Sequence, residues 1–479
     1  MKPAMLVAAL LATGLLTVNQ LHWRGGDLRR LHASRRYWED LTIATTGFYD
    51  AGGPRFSIQS LDGNQLRHAL RRYVLRTTSG MPAWPFWRTI PVKPFLRAPR
   101  IEPRDTDDTG RSLLLGIGFR LLGGVAPRLQ LWLGPLLAIP LLLWLTWELA
   151  DAGRRVAMFA APLLYASSAY LVACASLPYS ALGFYLLAIL ALEAFAVHAL
   201  LNPSPSVAGL ALRTAVAGCV LAACIRCRSS ALFLLPGYLL ALAGGLGRRV
   251  PGTTARLLIG PALAGLLLAP VLATRAKQHH EVWLGLWEGL GDFDHSKGHA
   301  WNDALAKQFL RDHGVDAPPG DAIWFRDNEA FFRRQVLTDV GGDPLWYLAI
   351  LFRRAVAALT QARLWTPYLT APAASEEVIR TYYTMAPDAE QLGVGRWSLR
   401  VPMPLLIAAS VAAAWRPRSR PRFAPEAGVL VCGLTATLGL PIAFTTASGL
   451  ETQGVALVYL LGLALAAERC FASRPSVSR

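Results

Sequence analysis

Charge is scarce in this chain. Of 479 residues only 16% are Asp, Glu, Lys or Arg, against about 25% in a soluble globular protein. Acid is scarcer still: 31 Asp and Glu face 48 Lys and Arg, for a net charge of +17. Cysteine is also sparse, with six residues, none of them in segments 21–128 and 274–400. That excludes a disulfide-stapled fold for either segment. Cys224 and Cys227 form a C-x-x-C, but no second pair follows at metal spacing, and structural zinc takes four ligands. They read as packing residues. No internal repeat is evident, so the paired halves typical of many transporters are missing.

What the chain has instead is long apolar runs, with 53% hydrophobic residues overall. A spanning helix needs about 20 such residues. Candidate spans fall at 4–20, 129–149, 156–174, 180–200, 208–225, 229–246, 256–273, 401–415, 426–446 and 453–467. The expected fold class is therefore an all-α polytopic membrane protein of about ten transmembrane helices. A soluble protein this basic would suggest nucleic acid. Among membrane spans the arginines read as contacts to lipid headgroups, and no nucleic-acid partner is expected.

Short connections set the orientation. Arg154, Arg155, Arg248, Arg249, Arg256, the run "WRPRSRPRF" (415–423) and the tail with Arg469, Arg474 and Arg479 all fall on one side. The opposing short loops, "CASLPYS" (174–180) and "TTASGLETQG" (445–454), contain no Lys or Arg. By the positive-inside rule both termini are then cytoplasmic. The expected division is an N-terminal bundle over 1–273, including an exterior loop at 21–128, a second exterior region at 274–400, and C-terminal helices over 401–479. The start "MKPAMLVAALLATGLLTVNQ" has the basic opening and apolar core of a signal peptide, but no convincing small-residue cleavage site, and it reads as a retained first helix.

Both exterior segments are longer than simple connections. "QLRHALRRYVLR" (65–76) places Leu66, Leu70, Tyr73 and Val74 on one helical face with four arginines elsewhere, the pattern of an interfacial helix. "DPLWYLAILFRRAVAALTQARLW" (343–365) reads as another, or as an eleventh partial span.

Four stretches carry candidate chemistry. "RRYWEDLTIATTGFYDAGGP" (35–54) holds Glu39 and Asp40, about 100° apart on a helix, so one of them faces a pocket. A carboxylate here is either a general base or a surface acid paired with Arg35 and Arg36. "EPRDTDDTGRSLLLGIGFRLLGG" (102–124) opens on an acidic cluster in which Asp108 either contacts substrate or caps the following helix. "CIRCRSSALFLLPGY" (224–238) places Arg226 and Arg228 where two spans join. Guanidinium binds phosphate bidentately, although snorkelling to ordinary phospholipid is the plainer alternative. "HHEVWLGLWEGLGDFDHSKGHAWNDA" (279–304) combines Trp287, His299 and other aromatics with carboxylates, a composition suited to a sugar contact or a structural loop. Asp292 and Asp294 offer a divalent metal only a lone D-x-D, and no metal or other cofactor is expected.

Together "WEDLTIATTGFYDAGG" (38–53), "DDTGRSLLLGIGFRLLGG" (107–124) and "IRCRSSALFLLPGYLL" (225–240) resemble the GT-C superfamily of integral-membrane glycosyltransferases. The likeness is to bacterial relatives of protein O-mannosyltransferases and of lipid A aminoarabinose transferases. It implies transfer of a sugar from a polyprenyl-phosphate donor to a lipid, glycan or protein acceptor at the outer face of the bacterial inner membrane. It also implies that Asp40 or Glu39 is the base and that Arg226 or Arg228 binds the donor phosphate. The acids read Glu-Asp here where the family more often has Asp-Glu, which leaves the catalytic one open. A lipid or sugar transporter or flippase is the rival from another class. An O-antigen ligase or polymerase is the rival among enzymes.

Overall fold

The computed structural model describes residues 2–24, 35–48, 61–78, 87–91, 110–168, 182–203, 206–250, 252–275, 282–293, 295–315, 326–361, 425–444 and 454–472. Among these the chain is almost wholly helical, and its only β interaction is one antiparallel bridge between Ile90 and Val125. Seven helical stretches are long and apolar enough to cross a membrane, as expected of an all-α multi-pass membrane protein.

Segment 21–128 supplies α2 (Arg35–Ile43, running into a π turn over Ala44–Phe48), α3 (Leu61–Thr78) and α4 (Gly110–Leu121) after the opening helix α1 (Lys2–Arg24). The bundle follows as α5 (Leu129–Asp151), α6 (Arg155–Ser167), α7 (Leu182–Leu201), α8 (Val207–Cys227), a 3-10 turn (Ser229–Leu234), α9 (Leu235–Arg249) and α10 (Thr253–Arg275). Four helices come next: α11 (Val282–Gly289), α12 (Asp303–Asp312), α13 (Arg326–Gly342) and α14 (Pro344–Gln361). Two more close the described chain, α15 (Pro425–Ala443) and α16 (Gly454–Ala472).

The seven membrane-length stretches are α5, α7, α8, the 3-10 turn with α9, α10, α15 and α16. Three of the ten expected spans are not among them. The apolar part of α1, Pro3–Val18, is shorter. In 156–174 the described helix stops at Ser167, and 401–415 lies outside the described residues.

A helix that is apolar on every side has no solvent face and belongs in the interior. The sequence of α7, LGFYLLAILALEAFAVHALL, is of that kind, and its span is wholly buried among α5, α8, α9, α15 and α16. The periphery shows the opposite pattern. On α10, packed chiefly against α8, Leu257, Leu258 and Leu272 point outward. On α1 the outward residues are Leu6, Val7, Leu10 and Leu11. These are the faces a lipid-solvated bundle requires.

The amphipathic reading of 65–76 fits the structure. Leu70 and Val74 are fully buried on α3, which packs on α2, while Arg72 and Arg76 are exposed. Helices α11 to α14 form a second, separate apolar core built on Leu284, Trp287, Leu310, Phe332, Val336 and Ile350.

Candidate functional site

Three of the four singled-out stretches converge. Asp40, on α2, accepts a hydrogen bond from Arg111 Nη1 at 2.9 Å and one from the Ser112 hydroxyl at 3.3 Å. Arg111 also donates to the Gln130 carbonyl at 2.9 Å. Gln130 in turn donates to the Tyr37 carbonyl, and the Tyr37 hydroxyl donates to the Pro127 carbonyl. Asp40 is thus fixed by the first turn of α4 and the start of α5, and its carboxylate keeps 17% exposure while the Arg111 side chain keeps 4%. Burial works against the Arg111 charge, and the neighbouring Asp40 carboxylate works for it.

The third stretch arrives at the same place. A Cβ added to Gly110 would stand 2.5 Å from the backbone carbonyl carbon of Arg226. Only glycine lets the start of α4 press against the end of α8 so closely. Cys227 consequently sits within electrostatic reach of Arg111. Arg226 and Arg228 are half-buried at that junction. The side chain of Glu39 and the whole of Asp108 lie outside the described residues, so Asp108 as cap or contact stays an expectation.

The alternative pairing of the acids with Arg35 and Arg36, whose side chains lie outside the described residues, did not include Arg111, a cation that bonds Asp40. A signal for it was present. An arginine in the first turn of a helix faces the positive end of the dipole, and inside an apolar segment it also needs an acid partner.

The fourth stretch lies elsewhere, in the α11–α14 unit. Trp287 is fully buried, with its ring against Phe309, Phe332 and His299. His299 is 1% exposed, and its Nε2 lies 3.0 Å from the Asp339 carboxylate, poorly aligned for a hydrogen bond. Both are core members in this arrangement, set away from a surface where a sugar could stack. Asp292 is held by Arg354 at 3.0 Å, and Asp294 is not described. Residues 295–300 form turns rather than a helix, with Gly298 at φ 78°.

Burial lowers the His299 pKa from its ordinary value. Asp339 opposes this shift, and Lys297 adds to it. A histidine whose folded pKa is depressed is neutral in the fold and protonates more readily when unfolded. The α11–α14 unit is therefore expected to lose stability as pH falls below the ordinary histidine range. Hydrogen exchange of α11 and α13 between pH 7 and pH 5 measures this, and His299→Gln flattens the dependence.

A further polar cluster gathers at the ends of α5, α7, α8 and α9. Glu148, Asp151 and His198 bring ligand atoms within 4.8 Å of one another. Their partners do not suit a metal. His198 Nε2 faces Arg249 Nη1 at 2.9 Å, and a guanidinium can only donate. Nε2 must then be the accepting nitrogen, which leaves the proton on Nδ1, pointing at Glu148 Oε2 at 2.8 Å. Glu148 also accepts from Arg213 at 2.5 Å and from the Trp144 indole at 3.0 Å. Asp151 accepts from Asn202. A metal on Nδ1 would displace that proton and meet two guanidinium charges, so the cluster is an ion-paired clamp between helices.

No family model, curated protein or solved structure matches this chain. Function has to be argued from the site.

Proposed function

We propose that this protein is a membrane glycosyltransferase that takes a sugar from a polyprenyl-phosphate donor and passes it to a hydroxyl acceptor, at the outer face of a bacterial inner membrane, with both termini cytoplasmic. The observation that carries the reading is the meeting of Asp40 with Arg111 and Ser112 beside the end of α8, where Arg226 touches Gly110. These residues come from three distant stretches, and helix packing by itself does not call for a largely buried acid–arginine pair beside the Arg226 backbone.

In this scheme Asp40 takes the proton from the acceptor hydroxyl as its oxygen attacks the anomeric carbon. The bond from that carbon to the phosphate oxygen breaks, and the electron pair leaves with the polyprenyl phosphate. Arginine from Arg226 or Arg228 stabilises the charge gathering there. Arg111 and Ser112 orient the Asp40 carboxylate. Glu39 stands beside Asp40 in sequence and is the second candidate base.

Native mass spectrometry on protein purified in nanodiscs tests the donor. A co-purified polyprenyl phosphate or its glycosylated form, lost in Arg226→Ala/Arg228→Ala, is the expected result. Bulk phospholipid alone, unchanged in that variant, would remove the phosphate site from the scheme.

One observation favours the transporter instead. Glu193 lies near the middle of the wholly buried helix α7, 3% exposed, and its Oε1 has no hydrogen-bond partner among the described residues. Intramembrane carboxyls of this kind serve proton coupling elsewhere. A single acid without a partner makes no relay, and the transferase reading is preferred.

A further inference from the structure

Helix α14 has its polarity turned inside out. Its outward side carries Leu345 at 77% exposure, Leu348 at 57%, Phe352 at 71% and Val356 at 43%. The spacing of three, four and four residues puts them in one stripe along the helix. Its inward side carries Ile350, Ala357 and Ala358 together with Arg354, which is fully buried. A surface helix in water has the reverse arrangement.

The buried arginine explains where the helix is held. Arg354 Nε donates to Asp292 at 3.0 Å, and Nη1 donates to the carbonyls of Ile442 and Ala443 at 3.1 and 3.4 Å. Those carbonyls end α15, one of the membrane-length helices. Further along, the Tyr459 hydroxyl of α16, another such helix, lies 3.5 Å from the Leu359 carbonyl. Two fixed points therefore tie α14 to one end of two candidate spans. The bundle has apolar residues on its exterior as well, among them Val431 of α15.

We propose that the stripe Leu345–Leu348–Phe352–Val356 is seated in the acyl chains of the leaflet that surrounds the end of α15. The exposed Arg353 beside it reaches the phosphates of that leaflet. The α11–α14 unit is then a membrane-seated body and not a free cap. A second copy of the chain on the same stripe is the competing occupant. Its interface would need polar residues at the rim and a broad covered apolar centre, whereas the large apolar residues here form a single line from Leu345 to Val356, flanked among its exposed residues by Ala349 and Arg353.

The test uses the full chain in nanodiscs of phosphatidylethanolamine and phosphatidylglycerol. The cysteines exposed among the described residues, Cys219 and Cys470, are replaced by Ala together with Cys174, which lies outside them, and a nitroxide is attached at Leu348→Cys or Phe352→Cys. Signal from the unsubstituted background is subtracted. Collision rates with oxygen, which partitions into acyl chains, and with a water-soluble nickel chelate are compared with those at Arg334→Cys, an exposed site on α13. The expected result is an oxygen-to-nickel ratio several-fold higher at positions 348 and 352 than at 334. Equal ratios would place the stripe in water and overturn the proposal. Low access to both reagents with spin–spin broadening would assign the stripe to a second copy, and that also overturns it. Leu345→Cys, at the most exposed position of the stripe, gives the same reading if Phe352→Cys does not fold.

Discussion

Asp40→Asn is expected to lower sugar transfer by roughly 10²–10⁴-fold, the usual contribution of a positioned general base. The amide keeps the shape of the side chain and one oxygen that can accept from Arg111 or Ser112, so folded protein is retained. It cannot take up the acceptor proton. The measurement is release of polyprenyl phosphate from a panel of polyprenyl-phosphate sugars, with membranes supplying the acceptor. Size-exclusion behaviour and thermal unfolding of the same sample confirm the fold. Full activity in Asp40→Asn would take Asp40 out of the mechanism and leave Glu39 as the base. Asp40→Ala is the less informative variant. It leaves the Arg111 guanidinium, whose side chain is 4% exposed, with only the Gln130 carbonyl among the contacts described above, and loss of function could then follow from loss of fold.

The largest effect on stability is expected from Glu148→Ala. This carboxylate is 1% exposed and accepts from Arg213, His198 and Trp144, so its removal unpairs groups on three helices at once. Breaking a buried ion pair by removing one partner costs about 3–5 kcal/mol. The unfolding midpoint of the detergent-solubilised variant should drop accordingly, and Glu148→Gln should fall between it and the parent. The double variant Glu148→Ala/Arg213→Ala should recover part of the loss, because the orphaned charge goes with it. Chelators should leave the parent's midpoint where it is, since the His198 tautomer leaves no nitrogen for a metal. A midpoint that fell on chelation would reverse the assignment of this cluster.

How much of this was legible beforehand depended on periodicity and depth. The apolar runs at 129–149, 208–225 and 256–273 became α5, α8 and α10 within a few residues, because burial in lipid writes an unbroken signal. The run at 229–246 was less plain, since it opens with a 3-10 turn before α9 begins. At the site, the acid at position 40 was visible because carboxylates are rare beside spans. Arg111 carried a signal as a cation in the first turn of an apolar helix, but nothing in the sequence paired it with Asp40. Sequence spacing ranks near neighbours, and Arg111 stands 71 positions away on a different helix. Trp287 and His299 attracted notice for their composition, but an aromatic cluster around a histidine looks the same in a row of letters whether it lines a groove or fills a core. Arg354 went unnoticed for a related reason: within an apolar stretch, the pair Arg353–Arg354 gives no sign of which member turns inward.

The enclosure of α7 has a consequence for biosynthesis. This helix reaches the membrane early in translation, yet two of the five helices that surround it, α15 and α16, are the last described in the chain. Until they are made, the flank of α7 that they cover lacks those two partners. Its apolar length suits that wait, but the lone carboxyl of Glu193 does not. The nascent protein therefore passes through a stage in which α7 is inserted and not yet sheltered. Chains truncated before α15 would remain at that stage and would be suited to removal by membrane quality control.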